Sequence, residues 1–156
     1  MKEIIKVNNR SQLGSLNDIV HDNNFDRDNV VFDQVKRTVE IPFDVVENKY
    51  LKGGLNLLFF RIGKKHLKRY ILQISSVGSL EIKGERNSSP GSYEYFDQIL
   101  YDENSKLVKI ITQFIDGYLL KVDDLYIAIN DVEKSVGEII SGHFLVEDFE
   151  GKRKYY

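Results

Sequence analysis

The chain has 156 residues, 42% of them apolar, a net charge of −2 and no cysteine. That length suits one domain with its own core, and the apolar share is too high for general disorder. The lack of cysteine excludes disulfides, thiolate zinc sites, iron–sulfur clusters and cysteine nucleophiles and fits a cytoplasmic location, while the interspersed charge predicts neither a broad nucleic-acid footprint nor an anionic-membrane surface.

Tyrosine and phenylalanine occur nine times each, and Ala128 is the single alanine. Aromatic and β-branched residues favour strands, and a chain this poor in alanine is no helical bundle. The amino terminus, MKEIIKVNNRSQL, has charges inside its apolar run and lacks the apolar stretch of a signal peptide. No segment approaches the roughly 18 uncharged apolar residues of a membrane-spanning helix.

In chain order, Lys2–Val7 reads as a short strand. In SQLGSLNDIV, Leu13, Leu16 and Val20 fall at helical spacing and Ser11 suits the N-cap, which predicts one short helix weakened by Gly14. RDNVVFD and RTVEIPF predict a hairpin through Asp33–Lys36, with Val39, Ile41 and Phe43 on one face and Thr38 and Glu40 on the other. Pro42 has no N–H to give a ladder and belongs at an edge or bulge. After Gly53-Gly54, LNLLFFRIG is apolar on both faces and reads as a buried strand. KRYILQISSV and SLEIKGER follow, separated near Gly78.

RNSSPGS, Arg86–Ser92, reads as a loop. DENS, Asp102–Ser105, reads as a turn between YEYFDQILYD and KLVKIITQFI. Asp116-Gly117, set between apolar runs, predicts a tight hairpin because such turns need positive φ. DLYIAIND and GEIISGHFLVEDF supply the last strands, and GKRKYY reads as a polar tail. The expected fold is mostly β: one domain over residues 1–156, an antiparallel sandwich or barrel of about ten strands with one short N-terminal helix. Residues 1–25 form its strand-and-helix lead-in and 151–156 its tail.

Five patterns bear on chemistry. DNNFDRDNVVFD spaces Asp22, Asn24, Asp26, Asp28 and Asp33 as positions 1, 3, 5, 7 and 12 of a calcium loop. Arg27 stands where that loop needs glycine, and Val30–Phe32 begin a strand, so the stretch reads as a turn rather than a metal site. His21-Asp22 is a possible base pair, but neighbours in extended chain point apart; His66 and His143 lie at no ligand spacing. Glu94 with Asp97, Asp123 with Asp124 and Glu147 with Asp148 are sequence neighbours and read as solvated turn acids. GKKHLKR, Gly63–Arg69, reads as a solvated hairpin tip more than a phosphate-binding patch. Tyr93, Tyr95 and Tyr101 share a face if their strand is regular, and with Tyr118 and Tyr126 on later strands they form a candidate binding face.

VHDNNFDRDNVVFD with RTVEIPF, and later IITQFIDGYLLKVDDLYIAI, resemble parts of small bacterial β-rich domains, some of which act as toxin-immunity proteins. The resemblance implies a binding role without catalysis and transfers no functional residue. The expected function is therefore non-enzymatic: binding of a protein partner or a second copy through a tyrosine-bearing sheet face or edge. No cofactor, metal, nucleic acid or membrane is expected. The alternative is a β-barrel that holds a small ligand, with or without enzymatic activity.

Overall fold

The structure is a computed structural model that describes residues 1–51, 53–57, 59–84, 93–113, 117–145 and 147–156. The loop expected at 86–92 and Asp116 of the expected hairpin turn lie outside the described residues.

The strands are β1 (Lys2–Val7), β2 (Asn24–Asp26), β3 (Val31–Asp33), β4 (Thr38–Tyr50), β5 (Leu55–Leu57), β6 (Phe60–Ile74), β7 (Val77–Lys83), β8 (Tyr93–Asp102), β9 (Leu107–Thr112), β10 (Gly117–Val122), β11 (Ile127–Phe144) and β12 (Glu147–Tyr155). Their hydrogen-bonded order is β1-β11-β6-β4-β2-β8-β9-β10-β7, with β12 on β11, β3 on β4 and β5 on β6. The described registers are antiparallel, and the path does not close on itself among the described residues. The mostly β antiparallel class and the short N-terminal helix are as expected.

The helix α1 spans Leu13–Val20 and buries Leu13, Leu16 and Val20, the three positions its spacing marks. It follows a 3-10 turn at Arg10–Gln12, so Gln12 rather than Ser11 holds the N-cap position. The Ser11 hydroxyl donates instead to Asn9. Asn17 fixes α1 to β8: its amide donates to the Ile99 carbonyl at 3.0 Å and accepts from the Ile99 N–H at 2.8 Å. No described helix is long and apolar enough to cross a membrane.

The chain divides into two compact units. The larger comprises Met1–Phe43 and Tyr70–Asp131, the smaller Asp44–Arg69 and Val132–Tyr156. The core of the larger unit is aromatic: Phe25 lies 4.4 Å from Phe96 and 5.7 Å from Tyr118, and Phe43 lies 5.5 Å from Phe96. Val39, Ile41 and Phe43 point into it, as their alternation predicts. The Asp33 turn forms as expected, with its carboxylate accepting from the Val35 and Lys36 N–H groups. The turn at Asp102–Ser105 also forms, with Asp102 accepting from Asn104 and Ser105. Pro42 lies beyond the β3 ladder, which stops opposite Glu40.

Four local readings need correction. LNLLFFRIG is not a buried strand: Leu57 pairs with Phe60, so the connection falls inside the apolar run and leaves Leu55, Leu57 and Phe59 exposed. GKKHLKR is not a hairpin tip but the middle of the fifteen-residue β6. DLYIAIND is not extended strand throughout: β11 begins at Ile127, and from there IAIND and GEIISGHF belong to one eighteen-residue strand, which passes through Glu133 at φ +65 without breaking. The segment read as a polar tail is a paired strand, because its residues complete β12 on β11.

Candidate functional site

The tyrosines do not gather on one surface. Between Phe96 and Gln98 the register of β8 against β9 shifts, so the parity of the strand changes. Tyr93 and Tyr95 precede the shift and point away from buried Glu94 and Phe96. Tyr101 follows it and stands opposite buried Val108, on the face of buried Ile99. The bulge thus divides a row that a regular strand would align. Tyr118 is fully buried among Phe25 and its neighbours. Tyr126 precedes β11, with the Lys6 ammonium 4.8 Å from its ring centre.

The residues of the acidic rhythm serve local structure. Asp22 takes φ +61, which turns its carboxylate back to His21 Nδ1 at 3.0 Å, and its other oxygen accepts from Gln113. The left-handed backbone explains how adjacent residues meet. Asn24 is buried on β2, opposite Tyr95. Asp26 caps the short turn at Arg27–Asn29 by accepting from the Asp28 N–H. Asp33 is used in its own turn, where the Lys36 N–H holds its carboxyl below the usual range. Among the described residues no three His, Asp or Glu side chains gather to hold a metal.

Sequence reasoning missed two polar clusters. In the larger unit, Glu94 is buried rather than solvated. The Tyr118 hydroxyl donates to Glu94 Oε2 at 2.7 Å, and Arg27 Nε lies 3.8 Å from Oε1. Burial raises the Glu94 carboxyl above its usual pKa, against the lowering pull of Tyr118 and Arg27. Burial and the Glu94 bond together raise the Tyr118 phenol. Arg27 Nη1 is buried without a hydrogen-bond partner among the described residues. The cluster is interior, and it ties β8 to β10 and to the turn after β2. In the smaller unit, Arg69 donates to buried Asp44 through Nε at 2.9 Å and Nη2 at 3.1 Å. Two other β6 cations are also matched to carboxylates: Lys64 to Glu138 at 2.9 Å and Lys68 to Glu47 at 3.1 Å. His66 Nδ1 lies 3.1 Å from the Ser135 hydroxyl. Three cations of the basic run, Lys64, Lys68 and Arg69, are thus in cross-strand pairs, invisible without their partners on β4 and β11.

The exposed surface of the smaller unit is the feature that function can use. Its described apolar side chains include two buried ones, Leu67 and Ile139, and nine large exposed ones. Six of the nine lie near the turns of two hairpins: Leu55, Leu57 and Phe59 on β5–β6, and Phe144, Leu145 and Phe149 on β11–β12. The hairpins are joined by the Leu145 N–H donating to the Phe59 carbonyl at 2.9 Å, and Phe60 lies 6.2 Å from Phe144 and 6.4 Å from Phe149. Hairpin tips are ordinarily polar. Here Phe59 is 58% and Leu145 59% exposed.

Small residues let the rings lie flat on the sheet. A Cβ on Gly142, which pairs with Phe149, would fall 2.0 Å from the Phe149 ring. A Cβ on Gly63 would fall 2.8 Å from the Tyr50 ring. Arg61 and Lys65 flank Gly63 on the same strand face and lie 4.0 and 4.7 Å from the centre of that ring. Tyr50, Phe59, Phe60, Arg61, His143 and Leu145 help to line a groove of about 360 Å³. Within that lining His143 Nδ1 meets Asp148 at 2.8 Å. The segments of this unit carry eleven Lys and Arg against seven Asp and Glu, although the whole chain is negative.

Such a surface combines apolar area, held by ring and backbone contacts, with cations fixed on one side. It offers anchors and charge, the two requirements of a docking surface. No family model matches the chain, and neither a curated protein nor a solved structure does so.

Proposed function

We propose that the protein is a non-enzymatic binding protein whose paired hairpin tips, β5–β6 and β11–β12, dock a partner protein with an apolar, acidic surface. The observation that supports this reading is the imbalance in the smaller unit: among its described residues nine large apolar side chains are exposed and two apolar side chains are buried. Exposed apolar clusters of this kind mark interaction sites on folded proteins. The partner's sign follows from Arg61 and Lys65, which Tyr50 holds beside the groove.

The test is panning a random-peptide display library on the immobilised full chain. Enriched peptides should combine Asp or Glu with aromatic or aliphatic residues. Their binding should vanish in a Phe59→Ser, Leu145→Ser double variant and weaken in Arg61→Glu. Enrichment without acidic residues, or binding untouched by these substitutions, refutes the reading. So does capture of vesicles of phosphatidylserine and phosphatidylcholine by wild type but not by the double variant, which would make the surface a membrane contact.

A further inference from the structure

The sequence of β12, EDFEGKRKY, changes sign at its middle. Glu147, Asp148 and Glu150 precede Gly151; Lys152, Arg153 and Lys154 follow it. Among the described strands β12 pairs only with β11, so its other edge faces no described strand. At nine residues it is longer than β1 and β7, the ends of the strand path. Edge strands are commonly guarded by charged side chains, and charges of one sign repel a second copy of the same edge. The charges of β12 do the reverse.

We propose that β12 pairs antiparallel with β12 of a second copy about a twofold axis near Glu150–Gly151, extending the sheet through a symmetric dimer. In that arrangement each acidic half lies along the basic half of the other copy. An axis between Glu150 and Gly151 sets Glu147 against Lys154 and Asp148 against Arg153. An axis at Gly151 sets Asp148 against Lys154 and Glu150 against Lys152. Both registers join opposite charges, and cross-strand pairs of opposite sign stabilise a ladder where like pairs weaken it. A parallel, in-register pairing would stack like on like and is disfavoured.

Each pairing occurs twice, residue i meeting j and j meeting i, as an isologous contact requires. Against β11, β12 carries one extra residue between Glu150 and Arg153, since Ser141 pairs with Glu150 and Ile139 with Arg153. A twofold axis there sets bulge against bulge, so the ladder stays in step on both sides. This dimer is made by the edge of β12, whose first residues also belong to the β11–β12 tip, and its strand pairing does not depend on the apolar side chains there.

The test uses the full chain in three forms: wild type, Lys152→Glu with Lys154→Glu, and Glu147→Lys with Glu150→Lys. Circular dichroism confirms that each is folded. Sedimentation equilibrium should show a wild-type dimer that weakens as salt rises, because the contacts are exposed charges. Each variant alone should dimerise about tenfold or more weakly, since the twofold axis doubles every reversed pair. An equimolar mixture should recover a heterodimer, read by native mass spectrometry. A wild-type chain that stays monomeric overturns the proposal. So does a dimer indifferent to salt and to both pairs of substitutions, or folded variants that fail to associate when mixed.

Discussion

Tyr118→Phe isolates one hydroxyl inside the larger unit. That hydroxyl donates to Glu94 at 2.7 Å, and Glu94 is 7% exposed, so water cannot replace the lost donor freely. Leaving a buried acceptor short of a partner costs about 1–3 kcal/mol, with the upper end belonging to a charged acceptor. A chain of this length converts that loss at about 3 °C per kcal/mol, so the melting temperature at pH 7 should fall by about 3–9 °C. The pH dependence gives the sharper check. The folded-state pKa of Glu94 lies above its unfolded value, chiefly through burial. The stability its protonated form contributes is therefore present at low pH and is lost as pH rises from the ordinary carboxyl range through the raised folded value. The ionised form that then results is the one that needs the Tyr118 hydroxyl. The deficit of Tyr118→Phe should thus be larger at pH 7 than at pH 4. It should also shrink in a Glu94→Gln background, where the acceptor is a neutral amide oxygen. Thermal melts of the four proteins of this cycle at both pH values measure all three quantities. An equal deficit at both pH values, or one unchanged by Glu94→Gln, refutes the argument.

The remaining predictions concern positions where one partner of a contact can adapt and the other cannot. Arg69→Ala should destabilise more than Asp44→Ala, by roughly 3 against 1–2 kcal/mol in urea unfolding, because Asp44 stays buried whereas the Arg69 head group reaches water. Equal losses would mean that burial does not set the cost. Gly117→Ala should lower stability by about 3 kcal/mol or more: φ is +93 and the new Cβ would lie 1.9 Å from the Ile110 carbonyl oxygen, a backbone atom that cannot swing aside. A loss below about 1 kcal/mol would show that β10 shifts to accept it.

Local patterns carried much of the fold. The alternation of Val39, Ile41 and Phe43, the spacing of Leu13, Leu16 and Val20, and the turn at Asp102 each report a preference that one segment expresses by itself. The readings that failed lacked a local signal. Nothing in LNLLFFRIG shows that its turn lies between Leu57 and Phe60, because no Gly, Asn or Pro marks it. The bulge that parts Tyr101 from Tyr93 and Tyr95 is a property of the β8–β9 register, not of YEYFDQILYD alone. The Gly63 and Gly142 positions, where aromatic rings lie on the sheet, become meaningful only when Tyr50 and Phe149 are known to be opposite them.

By itself the sequence determined the strand-rich class, the single short helix and the absence of cysteine chemistry, since each depends on composition or on residues within a few positions. Only the tertiary structure decided that Glu94 is interior, that Lys64, Lys68 and Arg69 of GKKHLKR face Glu138, Glu47 and Asp44, and that two apolar tips stand side by side at the surface. Burial and charge pairing are relations between segments far apart in the chain. An apolar run or a basic run reads the same in sequence whether its partners cover it or leave it exposed.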